Sequence, residues 1–306
     1  MTRTKLWLMV MLAGACSGLM REAEAASRAQ PERGVTQPER SAKVNLRPRF
    51  EKGQELRYTM IIESSTADSQ AGDPQSSSQE IGLLLRCTKA DTETGYTLDL
   101  VYESLKMKVR SPLATIEFDS TRPAKADDPA DAALRTIVGL TLPVTMDKEG
   151  NISAVGSGEG AMGAVGALVG QFSGGDMIKG MFGPIMTGRK GTGEASVGES
   201  WTNDDVIDGP AGQMKISLTH TLDSHSGGRA TIPMRGKVTL SPSSGAGTPG
   251  KVAIRDSSIS GKTVWDTSLG QLLSLESRQR VVVDTNHEGQ ASSQTQEMNV
   301  RVTKRK

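Results

Sequence analysis

The sequence has few of the side chains on which most enzyme chemistry depends. Of its 306 residues only three are histidine and two are cysteine, and aromatic residues make up 3%. Histidine is the commonest general base and metal ligand, and aromatic rings provide the surfaces on which bases and sugars stack. The composition therefore argues against a catalytic centre and against nucleic-acid binding.

Cysteine is too scarce for a disulfide or a zinc site. Cys16 lies in the first 25 residues, which have the features of a signal peptide, so Cys87 is the single cysteine of the remaining chain. A lone thiol closes no intramolecular disulfide and does not bind zinc alone. Cys87 shares one face of a predicted strand with Leu83 and Leu85, and we interpret it as a buried core residue.

Net charge is also absent. The first 25 residues, a predicted signal peptide, take three basic and two acidic residues from totals of 36 and 35, which leaves 33 of each in the mature protein. A neutral chain offers no basic surface to nucleic acid or to an anionic membrane. We therefore expect no nucleic-acid partner.

Motifs for nucleotides and for hydrolysis are incomplete. Residues 158–163 have the spacing G-x-G-x-x-G, but no βαβ unit surrounds them, and no G-x-S-x-G occurs in the chain. His220 falls on the apolar face of a predicted strand, and Asp204-Asp205 is predicted to lie in a solvated turn. We therefore predict that the protein is not an enzyme, holds no metal and needs no cofactor.

What the sequence does contain begins with an export signal. Arg3 and Lys5 precede an apolar run over 6–15, and Ala23-Glu24-Ala25 supplies small residues at the spacing of signal-peptidase sites. The run is too short for a permanent span. We predict a signal peptide over residues 1–25, a flexible polar leader over 26–43, and no transmembrane segment in the mature chain.

Cys16 leaves a second route of processing open. The segment Leu12-Ala13-Gly14-Ala15-Cys16 resembles a lipobox displaced by one position. Lipidation of Cys16 would tether the body to a membrane through the polar leader. By either route the predicted location is outside the cytoplasm, in the periplasm or cell envelope.

Residues 44–303 show the alternation of apolar and polar side chains that is typical of half-buried strands, as over Leu56–Ile62 and Met214–Leu222. Between Glu103 and Ser104 the alternation slips by one residue, which predicts a β-bulge. Residues 64–78, rich in Ser, Asp and Gly, are predicted to form a loop. The pattern as a whole predicts one mainly β domain, built on a single curved antiparallel sheet or half-barrel.

Two segments interrupt the strands. Asp128 and Pro129 are a typical helix start, and they predict a short helix over 129–139 that Gly139 ends. A helical insert is predicted at about 158–182, where Gly, Ala, Val and Met dominate. We expect both helices to pack on the concave face of the sheet.

The insert is the predicted ligand site. Its apolar residues recur at three- and four-residue spacings and so share a face within each helical piece, and methionine suits permissive apolar pockets. We expect an apolar cavity, closed by the sheet and lined by Met162, Val165, Leu168, Val169, Phe172, Ile178, Met181 and Phe182. The alternative is that the insert only fills one side of the sheet.

The body resembles a known group of exported proteins. Val197-Gly198-Glu199-Ser200-Trp201 has the form V-G-[DE]-S-W, and it stands between a hairpin at 146–150 and the segment Val264-Trp265-Asp266 that leads to Gly270. These elements resemble a family of exported bacterial domains of unknown function, similar in fold to the LolA/LppX-type lipoprotein carriers. The resemblance implies helices lying in the concave face of an incomplete barrel, and it implies no catalytic residues.

Two functions remain as expectations. The first is a non-enzymatic binder or carrier of an apolar ligand, such as a lipid or the acyl chain of a lipoprotein. The second is a structural or interaction domain of the envelope that binds another protein and no small molecule. A hydrolase with an unrecognised site is a weaker alternative, because histidine is scarce and no nucleophile motif is present.

The cleavage site of the predicted signal peptide can be tested by mass spectrometry. We expect the mature chain to begin at Ala26, because Ala23-Glu24-Ala25 has the residues that signal peptidase requires. Intact-mass measurement of protein from an envelope fraction checks this, since a chain lipidated at Cys16 would be longer and would carry acyl groups. An uncleaved chain in the cytosol would contradict both routes.

Overall fold

The computed structural model describes residues 43–69, 74–91, 93–112, 114–125, 127–156, 189, 193–209, 212–242, 251–287 and 290–306. The predicted signal peptide, the leader up to residue 42 and the predicted insert at 158–182 lie outside these residues.

The described residues form fifteen strands and one helix. In chain order these are β1 (Val44–Asn45), β2 (Glu55–Asp68), β3 (Gln75–Asp91), β4 (Gly95–Arg110), β5 (Thr115–Asp119), α1 (Pro129–Arg135), β6 (Thr141–Met146), β7 (Ile152–Val155), β8 (Glu194–Ala195), β9 (Ser200–Gly209), β10 (Gly212–Thr221), β11 (Ser224–Ser226), β12 (Arg229–Pro242), β13 (Lys251–Asp266), β14 (Gln271–His287) and β15 (Gln290–Lys304).

Thirteen of the strands form one antiparallel sheet, as the alternation predicts. Its order is β7-β6-β4-β3-β2-β15-β14-β13-β12-β10-β9, with β5 beside β4 and β11 beside β12. The strands β1 and β8 form a separate pair. Within the described residues the large sheet is open, with β7 and β9 at its edges.

Two meanders build this sheet, and the pairing of β2 with β15 joins them. Strands β2 to β7 follow one another outward in one direction, and strands β15 back to β9 do so in the other. The joining pairs run from Tyr58 opposite Lys304 to Asp68 opposite Gln294. The first and last long strands of the described chain are therefore neighbours in the middle of the sheet.

The predicted bulge in β4 is confirmed. Gly82 lies opposite Ser104 and Leu83 lies opposite Tyr102, so Glu103 is the extra residue. The predicted loop over 64–78 is wrong for most of its length, because β2 continues to Asp68 and β3 begins at Gln75. Serine and threonine on both faces hide the alternation there, although their hydroxyl groups can pair across the strands.

Turn chemistry closes two of the hairpins as predicted. The Asp147 carboxylate accepts hydrogen bonds from the backbone and side-chain nitrogens of Asn151, both at 2.8 Å, and Gly150 has a φ of +88°. At the β13–β14 hairpin the Asp266 carboxylate accepts from the backbone nitrogens of Ser268 and Leu269, both at 2.9 Å. In both turns the aspartate carboxylate accepts hydrogen bonds from backbone N–H groups of the turn.

The main apolar core lies on one face of the sheet, which we call the inner face. Strands alternate their side chains, and residues directly opposite each other share a face, so the register assigns every strand position. Tyr58 and Met60 of β2, Leu83 of β3 and Val302 of β15 belong to this core and are almost completely buried. The opposite, outer face carries most of the charged residues.

Helix α1 packs against this core, at the predicted place but one turn shorter. The Asp128 carboxylate caps it by accepting from the backbone nitrogens of Ala130 and Asp131, at 3.0 and 3.1 Å. Leu134 is buried in the core. Arg135 pairs with Asp131 at 2.6 Å, and its guanidinium lies over a core phenylalanine ring. The α-helix ends at Arg135, and turns with hydrogen bonds three residues apart continue to Leu140.

The V-G-E-S-W segment forms the turn that enters β9. Gly198 has a φ of +86° and donates its backbone N–H to Leu222 O at 2.7 Å. The Glu199 carboxylate accepts from the backbone N–H of Ser196 and from the guanidinium of Arg189, both at 2.8 Å, and Arg189 lies 4.7 Å from the centroid of the Trp201 ring. The Ser196 N–H, followed by Arg189, lowers the pKa of Glu199.

We expect Glu199→Gln to destabilise the protein at pH 7 and to matter less in acid. A carboxyl whose pKa is lowered by folding contributes stability above its unfolded-state pKa of about 4.3, and this is lost as the pH falls through the lower folded-state value. The urea midpoints of the variant and the wild type should therefore converge below about pH 4. Glu276→Gln, at an exposed position of the outer face, is the control. A midpoint difference that does not change with pH would contradict the assignment.

Candidate functional site

A second apolar cluster occupies the inner face beyond the main core. Its buried members come from four neighbouring strands, β10, β12, β13 and β14, and they are flanked by three partly buried residues of β12 and β13. The buried members are Met214, Ile216, Leu218, Val238, Ile259, Val281 and Val283, and the flanking residues are Leu240, Val252 and Ile254.

The register places this cluster on the same face as the main core. Val238 and the core residue Met234 are separated by four positions on β12, and Val281 and the core residue Leu275 by six on β14. Even separations on a strand keep side chains on one face. The inner face is thus apolar along the strands from the core into the second cluster.

A bulge in β13 keeps the far end of the cluster in phase. Ile254 lies opposite Val283 and Asp256 lies opposite Val282, so Arg255 is the extra residue. Without it, Ile254 would fall on the outer face, because one residue of slip reverses every side chain. Beside the bulge the Ser257 hydroxyl donates to Val238 O at 2.7 Å and accepts from Val238 N at 2.8 Å, close to where the ladder between β12 and β13 ends.

The inner face turns polar at the next strand. Val281 and Val283 of β14 lie opposite Gln296 and Gln294 of β15, and Gln296 lies opposite Thr66 of β2. We call Gln294, Gln296, Thr66, Ser64 and Ser77 the polar strip. Gln296 and Thr66 are 8% and 6% exposed. The hydroxyl groups of Ser64 and Ser77 are 2.7 Å apart, and Gln296 Nε2 donates to Gln294 Oε1 at 3.2 Å.

Gln279 lies on the border between the second cluster and the polar strip. On β14 it stands opposite Ile259 of β13 and Met298 of β15. Its Nε2 atom is buried and has no hydrogen-bond partner in the structure. A buried donor without a partner costs about 1–3 kcal/mol, so such groups in folded proteins call for an explanation.

The acidic pair on β9 divides between the two faces. Asp205 points inward, opposite Ile216, and is 3% exposed. Asp204 points outward to Lys215, whose ammonium lies 2.8 Å away. The hydrogen bond from Lys215, followed by that from Ser217, lowers the pKa of Asp204. The predicted solvated turn is wrong, because these residues pair with β10 throughout.

The arginines of β14 and β15 lie on the outer face. Arg278 and Arg280 of β14 and Arg301 of β15 alternate with inward residues and are exposed. They line an outer groove of about 440 Å³ together with acidic side chains, and Arg280 pairs with Asp256 at 2.9 Å. The second cluster and the polar strip contain no lysine or arginine.

His220, His225 and Cys87 occupy structural positions. The His220 ring stacks on Trp201, with centroids 5.6 Å apart, and the exposed His225 Nε2 lies 3.0 Å from Thr267 Oγ1. Cys87 is 1% exposed, its thiol donates to Lys89 O at 3.3 Å, and burial raises its pKa. Within the described ranges no three His, Cys, Asp or Glu side chains converge as metal ligands.

The predicted cavity residues lie outside the residues that the structure describes, and so does the alternative lipidation site Cys16. The cavity residues are Met162, Val165, Leu168, Val169, Phe172, Ile178, Met181 and Phe182. Sequence reasoning missed the second cluster as a separate surface and missed Gln279. The alternation over 214–222 was a visible signal, but only the strand order assembles it with β14.

No helix in the part of the chain described here combines the length and apolarity needed to cross a membrane.

Residues 93–181, less than a third of the chain, match the sequence profile of a family of unknown function, DUF6263. No curated protein sequence matches the chain. The V-G-[DE]-S-W resemblance and the similarity to LolA/LppX-type carriers stay predictions.

Among solved structures, lipovitellin is similar in fold, with a TM-score of 0.50 at 10% identity; the match covers 84% of this chain and 26% of lipovitellin. The chain therefore spans about a quarter of lipovitellin's length. DynF from the dynemicin biosynthesis pathway of Micromonospora chersina matches over 90% of this chain and 92% of its own, at 7% identity and a TM-score of 0.23. A DUF1329 family protein from Desulfovibrio piger matches over 80% and 84%, at 8% identity and a TM-score of 0.14. Of these three likenesses, that to lipovitellin supports the fold.

Proposed function

We propose that this chain is an exported, non-enzymatic protein that binds an apolar ligand, such as a lipid or an acyl chain, on the inner face of its sheet. The second cluster carries the proposal. Among the described residues its members come from four adjacent strands alone, whereas the main core also includes residues of helix α1 and of the segment before β2. The seven buried members are 0–9% exposed in the folded chain, and we propose that a ligand chain enters beside them.

The energetics favour an occupied space over a wetted one. Burying a Val, Leu, Ile or Met side chain stabilises by about 1.5–3 kcal/mol relative to leaving it in water. Seven such residues lie side by side and are already removed from water, so an apolar chain is the kind of ligand that can lie among them. A ligand chain does so without directional contacts, since dispersion and the hydrophobic effect are both non-directional.

Two further observations support this ligand class. Lipovitellin, whose fold is similar, has a structure described as one of lipid–protein interactions. The scarcity of histidine and the buried, structural position of Cys87 favour binding over catalysis. Export rests on the leader sequence, with cleavage after Ala25 or lipidation at Cys16 as its two forms.

One observation favours a second function, an envelope interaction domain with no small ligand. Strand β9 is an edge of the sheet, and its Val206 is 52% exposed. An edge strand presents unpaired backbone groups that a partner strand can extend.

An organic extract of the protein purified from cells should contain lipid, which mass spectrometry would identify. The purified protein should also bind the uncharged fluorescent probe Nile red. We expect Ile216→Ala to weaken this binding several-fold, because it removes a methyl-rich side chain from the centre of the second cluster. Because Ile216 is completely buried, the substitution should also cost about 2–5 kcal/mol of stability, and the change in Nile red affinity is therefore the result that tests the proposal.

Leu142→Ala is the matched control, because Leu142 is completely buried in the main core. It should cost about 2–5 kcal/mol in urea unfolding and leave Nile red binding unchanged. No Nile red binding by the wild type, together with no lipid in the extract, would contradict the proposal and favour the interaction domain.

A further inference from the structure

We propose that the ligand is an uncharged amphiphile, whose hydrogen-bond-accepting head binds at Gln279 and the polar strip while its chain lies on the second cluster. This inference rests on the proposed function and specifies its substrate class. It is carried by three features of the inner face: a sharp border between apolar and polar halves, an unpartnered donor on that border, and the lack of a cation beside it.

The border runs between β14 and β15. On one side stand Val281 and Val283, and directly opposite them stand Gln296 and Gln294. Adjacent strands are about 4.8 Å apart, so the surface changes from hydrocarbon to amide within one strand spacing. A molecule that lies across this border meets apolar surface with one end and hydrogen-bonding groups with the other.

Gln279 supplies the specific contact. Its Nε2 is a donor, is buried, and has no partner, while its neighbours Ile259 and Met298 across the strands offer no acceptor side chain. An ester, amide or hydroxyl oxygen at the head of an apolar chain would accept this hydrogen bond. The donor and the hydrocarbon surface then recognise two parts of one molecule.

Charge complementarity excludes an anionic head. Carboxylate and phosphate groups are bound in proteins mainly by Arg and Lys, and the arginines of β14 and β15 all point outward. The inward Lys304 lies at the other end of β15, eight residues from Gln296, and donates to Gln271. The polar strip contains only amide and hydroxyl side chains. The charged residue beside the strip is Asp68, which lies opposite Gln294 and would repel an anion. An uncharged head is the one that this surface can bind without leaving a buried charge unpaired.

The test compares three ligands with the same ten-carbon chain, which are 1-decanoylglycerol, decanoate and decane, by displacement of Nile red from the full purified chain at pH 8. We expect decanoylglycerol to bind at least about tenfold more tightly than decanoate, which would have to bury an unpaired charge. Gln279→Met keeps the length of the side chain and removes the donor. It should weaken decanoylglycerol binding by about three- to tenfold, the effect of one neutral hydrogen bond, and leave decane unchanged.

Gln213→Met is the matched control. Gln213 lies on β10, three strands away from β14, next to the inward Met214 and so on the outer face, and its side chain is exposed. It should leave all three affinities unchanged.

The outcomes separate this inference from the proposed function. If Nile red binds and decane displaces it, but Gln279→Met leaves decanoylglycerol affinity unaltered or decanoate binds more tightly than the ester, the inference is overturned and apolar binding stands. A rise in thermal stability of Gln279→Met without any change in ligand affinity also overturns it. If none of the three ligands and no Nile red binds, the proposed function itself fails.

Discussion

The pairing of β2 with β15 is the interaction on which the rest of the structure depends. Each half of the sheet is a meander of local hairpins, and this pairing alone joins them across the described chain. It sets Met60 beside Val302, which in turn lies opposite Leu275 of β14, so the core runs unbroken from one meander to the other. Closing a loop of this length is entropically costly, and we expect it to form late in folding.

Once the halves are joined, the alternation of side chains gives the whole sheet one apolar face. The second cluster forms one surface because the apolar residues of β10, β12, β13 and β14 all point to the same face of the sheet. The same alternation sends Arg278, Arg280 and Arg301 to the opposite face. The mainly apolar inner face and the charged outer face are therefore two results of a single register, and the proposed ligand class follows from the first.

Bulges maintain that register over strands of unusual length. The β13 and β14 strands contain 16 and 17 residues, far longer than the usual strand of about 5–6. Over strands of this length, apolar side chains would not stay on one face of the twisted sheet unless extra residues adjusted the register. The extra residues Glu103 and Arg255 each restore it, the first for the main core and the second for the end of the second cluster.

The sequence by itself determined the local features, because their signals lie within a few residues of each other. These include the strands of residues 56–62 and 214–222, the bulge at Glu103, the cap at Asp128 and the two Asp-Gly turns. It failed where the pattern is locally ambiguous. Polar residues on both faces hid the extension of β2 and β3, and the adjacent acids of β9 suggested a turn.

Only the tertiary structure decided which strands are neighbours, and with that it decided the candidate site. Gln279 has nothing unusual in its local sequence, since it is one polar residue in an alternating strand. It becomes a candidate ligand contact because its neighbours across the strands are Ile259 of β13 and Met298 of β15, with the polar strip close by. Strand order depends on free energies of pairing between distant segments, and no local periodicity encodes those energies.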